Sequence, residues 1–334
     1  MGREKSIWPV VILSVALLSV GLSCAGLPSP AVITPVPFSI AGTVALTEDQ
    51  ALYRSPTWSP DGRMIAALKS PVYPPPRGPI TEGDVVLLSL AAGQASVILA
   101  PPTVKPESSR DSIFWLPGGR EIAFYYYNFA DQQESPYLIL YDLGSQEARS
   151  INLCRCWPIA LNKDGSELLV NDSPEGTFRL SWWKLETGDT RIEISLIPSD
   201  PRQHQYYDFS LSPDGGILLL DDLQGNIFKY QIGSGEAPAN FLSQAVSPGW
   251  SPDGSKLVYS QLRQRGTSSL DYYDGELLIA NADGSSPERL ILETQPAGML
   301  SPAWSPDGTQ IAFLYGNQHS NAILIADVPA SLRP

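Results

Sequence analysis

The sequence predicts an all-β fold: a six-bladed β-propeller of four-stranded antiparallel blades, its ring closed by an N-terminal strand. Three observations carry that expectation. First, Trp-Ser-Pro-Asp-Gly recurs intact three times, ending at Gly62, Gly254 and Gly308, with weaker copies between. The weaker copies are Trp115-Leu116-Pro117-Gly118-Gly119, Leu161-Asn162-Lys163-Asp164-Gly165 and Leu211-Ser212-Pro213-Asp214-Gly215. The six glycines stand 57, 46, 50, 39 and 54 residues apart, a mean of about 49, close to the length of one propeller blade. Second, every copy is followed by a short apolar run. Third, no segment beyond the N-terminus sustains a helical period.

The elements follow in order. Proline presets φ at the first central position of a type I turn, aspartate suits the second, and glycine accepts the positive φ that follows. The result is a tight hairpin with a bulge. Three residues after each glycine stand Ile65, Ile122, Leu168, Leu218, Leu257 and Ile311, and the next two positions are apolar in every copy. A continuous apolar run bounded by turns reads as a strand covered on both faces. A second hairpin signal trails each of the first five copies, around Gly93, Gly144, Gly188, Gly233 and Gly284. Each unit therefore holds four strands. The sixth lacks its last one, and the strand-like residues 38–46 are expected to complete it.

The turn followed by x-x-Ile-Ala-Phe, as from Trp304 to Phe313, resembles the repeat of TolB-type propellers. The resemblance covers residues 38–328 and the propeller part alone, since TolB proteins carry a further N-terminal α/β domain. It implies a six-bladed ring and not one function, because this fold hosts many. Related repeats occur in prolyl oligopeptidase-type enzymes and some pectin lyases. The former need a nucleophile elbow, and the chain has no G-x-S-x-G. The latter rely on clustered metal-binding side chains, and the chain has two histidines, His204 and His319.

Charge and leader give an address. Twenty-two Lys and Arg stand against 35 Asp and Glu, a net charge of −13. That balance opposes binding to nucleic acid, and opposes adsorption onto anionic membranes. Arg3 and Lys5 precede an apolar stretch, residues 7–22, that ends at Gly21-Leu22-Ser23-Cys24. The length suits a signal sequence. The ending resembles a bacterial lipobox, with Cys24 as the lipidated residue; ordinary cleavage and an uncleaved anchor are the alternatives. The expected domains are a lipoprotein signal peptide, residues 1–23, a Pro-rich tether, residues 24–37, and the propeller, residues 38–330.

In a four-stranded blade the first and third turns share one face, and here they are the tight glycine turns. Longer connections therefore gather on the other face, where binding usually resides. Tyr127, Tyr207, Asp208, Asp271, Tyr272 and Tyr273 fall in or beside those connections and are the candidate partner-binding residues. Alternating strand packing is the competing reading of these tyrosine runs. The repeat residues Trp58, Asp61, Gly62, Trp115, Gly119, Gly165, Asp214, Gly215, Trp250, Asp253, Gly254, Trp304, Asp307 and Gly308 are expected to be structural. Cys154 and Cys156 flank one residue. A bridge between them is strained, so two thiols are the expected state and a disulfide the alternative. No catalytic constellation, metal site or cofactor motif stands out.

These readings predict a non-enzymatic, monomeric envelope lipoprotein, held to the membrane by its lipid alone, with a protein or peptide partner and no cofactor. The alternatives are a hydrolase or lyase acting on an extracellular polymer, and a glycan or small-ligand binder. Converging carboxylates with a histidine at the mouth of the central channel would favour an enzyme.

Overall fold

Twenty-four β-strands make up the regular structure of the described residues. The computed structural model describes residues 42–47, 49, 51–71, 84–91, 94–97, 112–126, 137–153, 156–172, 177–196, 206–222, 224–262, 275–291, 298–316 and 321–334. They form an all-β propeller with blades of four antiparallel strands.

In chain order, β1 (Thr43–Ala45) is followed by β2 (Ala51–Trp58), β3 (Met64–Pro71), β4 (Asp84–Ser89) and β5 (Gln94–Val97). Four separate four-stranded sheets come next. They are β6 (Ile113–Trp115), β7 (Glu121–Tyr126), β8 (Tyr137–Asp142) and β9 (Ala148–Asn152); β10 (Trp157–Leu161), β11 (Glu167–Asn171), β12 (Phe178–Lys184) and β13 (Thr190–Leu196); β14 (Tyr206–Leu211), β15 (Ile217–Asp222), β16 (Asn226–Gln231) and β17 (Ala239–Ser243); and β18 (Ala245–Trp250), β19 (Lys256–Leu262), β20 (Gly275–Asn281) and β21 (Glu288–Arg289). The chain ends with β22 (Gly298–Trp304), β23 (Gln310–Gly316) and β24 (Asn321–Asp327). These last three share an eight-stranded sheet with β1 to β5. Within it, β2–β5 and β22–β24 meet at one pair, Ala51 opposite Asn321. β1 lies antiparallel along β24, with Thr43 opposite Ala326 and Ala45 opposite Leu324.

Each repeat turn is built as its residues dictate. Gly62 N donates to Ser59 O at 2.9 Å, and Ser59 N donates to Met64 O at 2.8 Å, closing the hairpin. The Ser59 hydroxyl donates to Asp61 at 2.6 Å and accepts from Met64 N at 2.9 Å. The same pair of bonds recurs at Ser212, Ser251 and Ser305. In the third copy Asn162 takes over the serine's acceptor role toward Glu167 N.

The core is divided into clusters between successive groups of strands. Ile65 packs with Ile323 and Ile325, while its neighbour Ala66 packs with Ile122 and Phe124. Leu168 and Val170 face Ala123 and Leu138, while Leu169 faces Leu218 and Leu220. Leu219 then packs with Leu257 and Tyr259. Side chains alternate along a strand, so a strand sandwiched between two sheets must be apolar at every position. Each fully buried Leu or Ile contributes about 1.5–3 kcal/mol. Trp182 and Trp183 follow the same rule, each joining a different cluster, both buried.

Contacts between turns run around the ring. A Cβ placed on Gly119 would stand 3.6 Å from Pro60 Cδ, one on Gly254 3.6 Å from Pro213 Cδ, and one on Gly62 3.7 Å from Pro306 Cδ. Each turn's proline thus rests on the next turn's glycine, and the last such contact returns to the first turn. The tightest is Gly165, where a Cβ would lie 2.6 Å from Pro117 Cδ; Gly215 faces open space, at nearly the same φ (+73° and +75°). Both alanine substitutions carry the left-handed cost, and only one adds a collision. Gly165→Ala is expected to lose about 2–4 kcal/mol in urea unfolding and Gly215→Ala about 1–2 kcal/mol. Equal losses would show that packing between turns contributes nothing.

Candidate functional site

Six strands, β2, β6, β10, β14, β18 and β22, line one cavity of about 300 Å³. β2 contributes Ser55, Pro56 and Thr57, β6 Ile113 and Phe114 with Ser112 just ahead of it, and β10 Trp157, Pro158 and Ile159. β14 contributes Asp208 and Phe209, β18 Ser247 and Pro248, and β22 Ser301 and Pro302. Strands from all around the ring converge on this space, which makes it axial.

A backbone device presents these residues. The register of β2 with β3 shifts between Arg54 and Thr57, that of β18 with β19 between Val246 and Gly249, and that of β22 with β23 between Leu300 and Ala303. β10 and β14 carry comparable irregularities. At the three Ser-Pro sites the serine adopts a left-handed backbone: Ser55 at φ 49°, Ser247 at 52° and Ser301 at 50°. That conformation is costly for a non-glycine residue, and such strain gathers at functional sites. Bulges likewise re-aim side chains beside sites. The signal was present in the sequence: the repeat is longer than five residues, reading Ser-Pro-x-Trp-Ser-Pro-Asp-Gly at residues 55, 247 and 301. Reading the unit from its tryptophan missed the Ser-Pro that meets the cavity.

On one side of the cavity two carboxylates converge. Asp221 of β15 is 3% exposed. It accepts hydrogen bonds from Asp208 N at 3.0 Å and Ser247 N at 2.6 Å. Asp208 in turn accepts from the Ser247 hydroxyl at 2.7 Å. Asp208 is exposed and lines the cavity, while Asp221 behind it is buried. Burial raises both pKa values, and the charge of Asp208 adds to the rise at Asp221. The pair therefore holds a proton to higher pH than an ordinary carboxylate.

The exposed turn aspartates behave oppositely. Hydrogen bonds from Ser59, Ser212 and Ser305 hold Asp61, Asp214 and Asp307 below the usual value of 3.8. Their stabilisation is present above that value and is lost as pH falls through the folded pKa. For Asp208 and Asp221 the sign reverses. Their contribution is complete below the unfolded pKa and is lost as pH rises through the raised folded pKa. Asp208→Asn removes the charge that acts on Asp221. The fall in melting temperature between about pH 5 and about pH 8 should then shrink in this variant. An unchanged pH profile would show that the two carboxylates do not interact.

Other sequence-predicted residues fall as follows. Trp58, Trp115, Trp250 and Trp304 are buried. The Trp58 indole in β2 donates to Ala303 O in β22 at 3.0 Å, and that of Trp115 in β6 donates to Thr57 O in β2 at 3.1 Å. Among the described residues the indole nitrogens of Trp250 and Trp304 meet no hydrogen-bond acceptor. Of the partner-binding candidates, Asp208 lies in the cavity wall, and Tyr207 lies beside it in β14, its side chain outside the described part. Tyr127, Asp271, Tyr272, Tyr273, Cys24, both histidines and the long connections lie outside the described residues. So does the histidine arm of the enzyme criterion; its carboxylate arm is present. The expectation of two thiols needs correction, because Cys156 is disulfide-bonded, its partner lying outside the described residues. The strain argument assumed one continuous strand. Cys156 instead sits in the link between β9 and β10, where no strand pleat fixes its direction.

No family model matches the chain. Among curated proteins it is similar to the Tol-Pal system protein TolB of Coxiella burnetii, 32% identical over 79 residues, which are 24% of this chain and 17% of that protein. The TolB of Hahella chejuensis is 29% identical over 99 residues, 30% of this chain and 22% of that one. The matches thus span less than a quarter of those proteins. Among solved structures, TolB from Acinetobacter baumannii superposes with a TM-score of 0.56 at 18% identity, over 78% of this chain and 59% of that one. An oligogalacturonate lyase from Vibrio parahaemolyticus gives 0.57 at 15% identity, over 87% and 94%. At these identities the structures establish the fold alone: a TolB-like propeller.

Proposed function

We propose that the chain is a six-bladed propeller lipoprotein of the bacterial envelope that binds a protein partner without catalysing a reaction. β22–β24 with β1 form one blade and β2–β5 another, which with the four separate sheets makes six. Lipid on Cys24 anchors the chain, and residues 24–37 tether the ring, which acts as a monomer. Tyr127, Tyr207, Asp208, Asp271, Tyr272 and Tyr273 are the residues that contact the partner.

The observation that carries this reading is the axial cavity, whose wall includes Asp208. Among the described residues its wall is made of proline, serine, threonine, isoleucine and aromatic side chains, with one carboxylate. Such a wall offers hydrogen bonds and apolar contact to a polypeptide. The similarity to TolB, named for a Tol-Pal system, supports an envelope location and a protein partner. The oligogalacturonate lyase shares the fold. A substrate as anionic as oligogalacturonate would be repelled by the carboxylate pair, so the shared fold does not favour lyase chemistry here.

The test is capture of partners from envelope extract by the mature chain. Tyr207→Ala and Tyr272→Ala are expected to lower capture at least tenfold with the melting temperature unchanged. Loss of melting temperature with capture intact would assign these tyrosines to packing instead.

A further inference from the structure

We propose that the axial cavity receives a lysine side chain of the partner, its ammonium bound by Asp208 with Ser247 and Asp221 behind. The inference rests on the protein-binding reading above and names the chemistry that the cavity selects. Among the described residues, Asp208 is the one ionisable side chain in the cavity wall. Ser247 holds its carboxylate in place from the next sheet through the 2.7 Å hydroxyl bond. Asp221 stands behind, fixed by two backbone N–H groups. The charged groups acting on the pair, among the described residues, are its own members and Asp222; no cation acts on it. Tyr206, also in β14, stays protonated, its pKa pushed up to about 12 by burial and by Asp222.

The Asp208 carboxylate on the cavity, with the buried Asp221 behind it, forms a focus of negative charge that an ammonium would offset. The rest of the cavity suits the stem of the same side chain. Pro56, Pro158, Pro248 and Pro302, with the aromatic side chains of Trp157 and Phe209, offer apolar surface. A volume of about 300 Å³ is at the low end of ligand cavities, fit for one long side chain rather than a folded ligand. The net charge of −13 steers a basic partner toward the ring.

Binding an ammonium favours the ionised carboxylates, so it releases the proton that the pair retains. Affinity should therefore rise with pH through the raised carboxylate range. The experiment titrates the full chain with N-acetyl-lysine N-methylamide, and with its norleucine counterpart, which keeps the stem and lacks the charge. Calorimetry at pH 5 and pH 8 is the readout. The expected result is binding of the lysine probe, several-fold tighter at pH 8, with no binding of the norleucine probe. Asp208→Asn should weaken the lysine probe at least tenfold, about 1.4 kcal/mol. The pH and norleucine arms use the unmodified chain and stand even if that variant misfolds. Absence of lysine binding, equal binding of both probes, or equal affinity in a folded Asp208→Asn chain would overturn the inference. Partner capture by a chain that ignores the lysine probe would leave the proposed function standing and remove this inference alone.

Discussion

Deleting residues 37–46 should cost about 3–5 kcal/mol and lower the melting temperature by about 8–12 °C. The deletion removes β1, which covers β24 along Leu324 to Ala326. It also removes the bond from Leu46 N to Ile323 O at 2.8 Å. Ile323, Leu324, Ile325 and Ala326 are buried, so stripping their neighbour exposes both apolar surface and a row of backbone groups. An edge of that kind templates pairing with other chains. The truncated chain should therefore also associate, with an apparent mass that grows with concentration in light scattering. Unchanged melting and a monomeric mass would refute closure by β1.

The second large effect is expected at Asn321. Its side chain is 8% exposed and spans the seam between β24 and β2. The amide oxygen accepts from Tyr53 N at 2.7 Å, and the amide nitrogen donates to Tyr53 O at 2.9 Å. One side chain thus replaces the backbone ladder where it lapses after Ala51. Asn321→Ala leaves both Tyr53 groups buried without partners, a loss of about 2–5 kcal/mol. Asn321→Asp keeps the acceptor and loses the donor, and should fall between the two. Urea midpoints in the order wild type, Asn321→Asp, Asn321→Ala would support the seam; midpoints within about 0.5 kcal/mol of one another would deny it.

The turns and apolar strands were legible because they are local. Pro60, Asp61 and Gly62 make their turn with neighbours a few residues away, and Ile65 and Ala66 announce burial on both faces by being apolar in succession. The pairing of β1 with β24 was legible by counting, since the sixth repeat is one strand short. Asn321 and Asp221 were not. Each acts on a residue far from it in sequence, at a separation of 268 for Asn321 with Tyr53 and 26 for Asp221 with Ser247. Nothing in the flanking sequence marks them. Asp208 was chosen from the sequence for its place beside a tyrosine pair. Its position in the cavity wall depends on the irregularity between Tyr206 and Phe209, which has no repeat signature. The Ser-Pro at residues 55, 247 and 301 did carry a signature, hidden by starting the repeat at tryptophan.

The most direct measurement is site-specific photo-crosslinking of the full chain expressed in its host cell. A photoreactive group replaces Tyr272 in one chain and Ile192, which is 62% exposed on the outer strand β13, in another. The account predicts a discrete adduct to one protein from position 272, lost when Asp208→Asn is added, and none from position 192. Adducts of equal yield from both positions, or none from position 272, would contradict it.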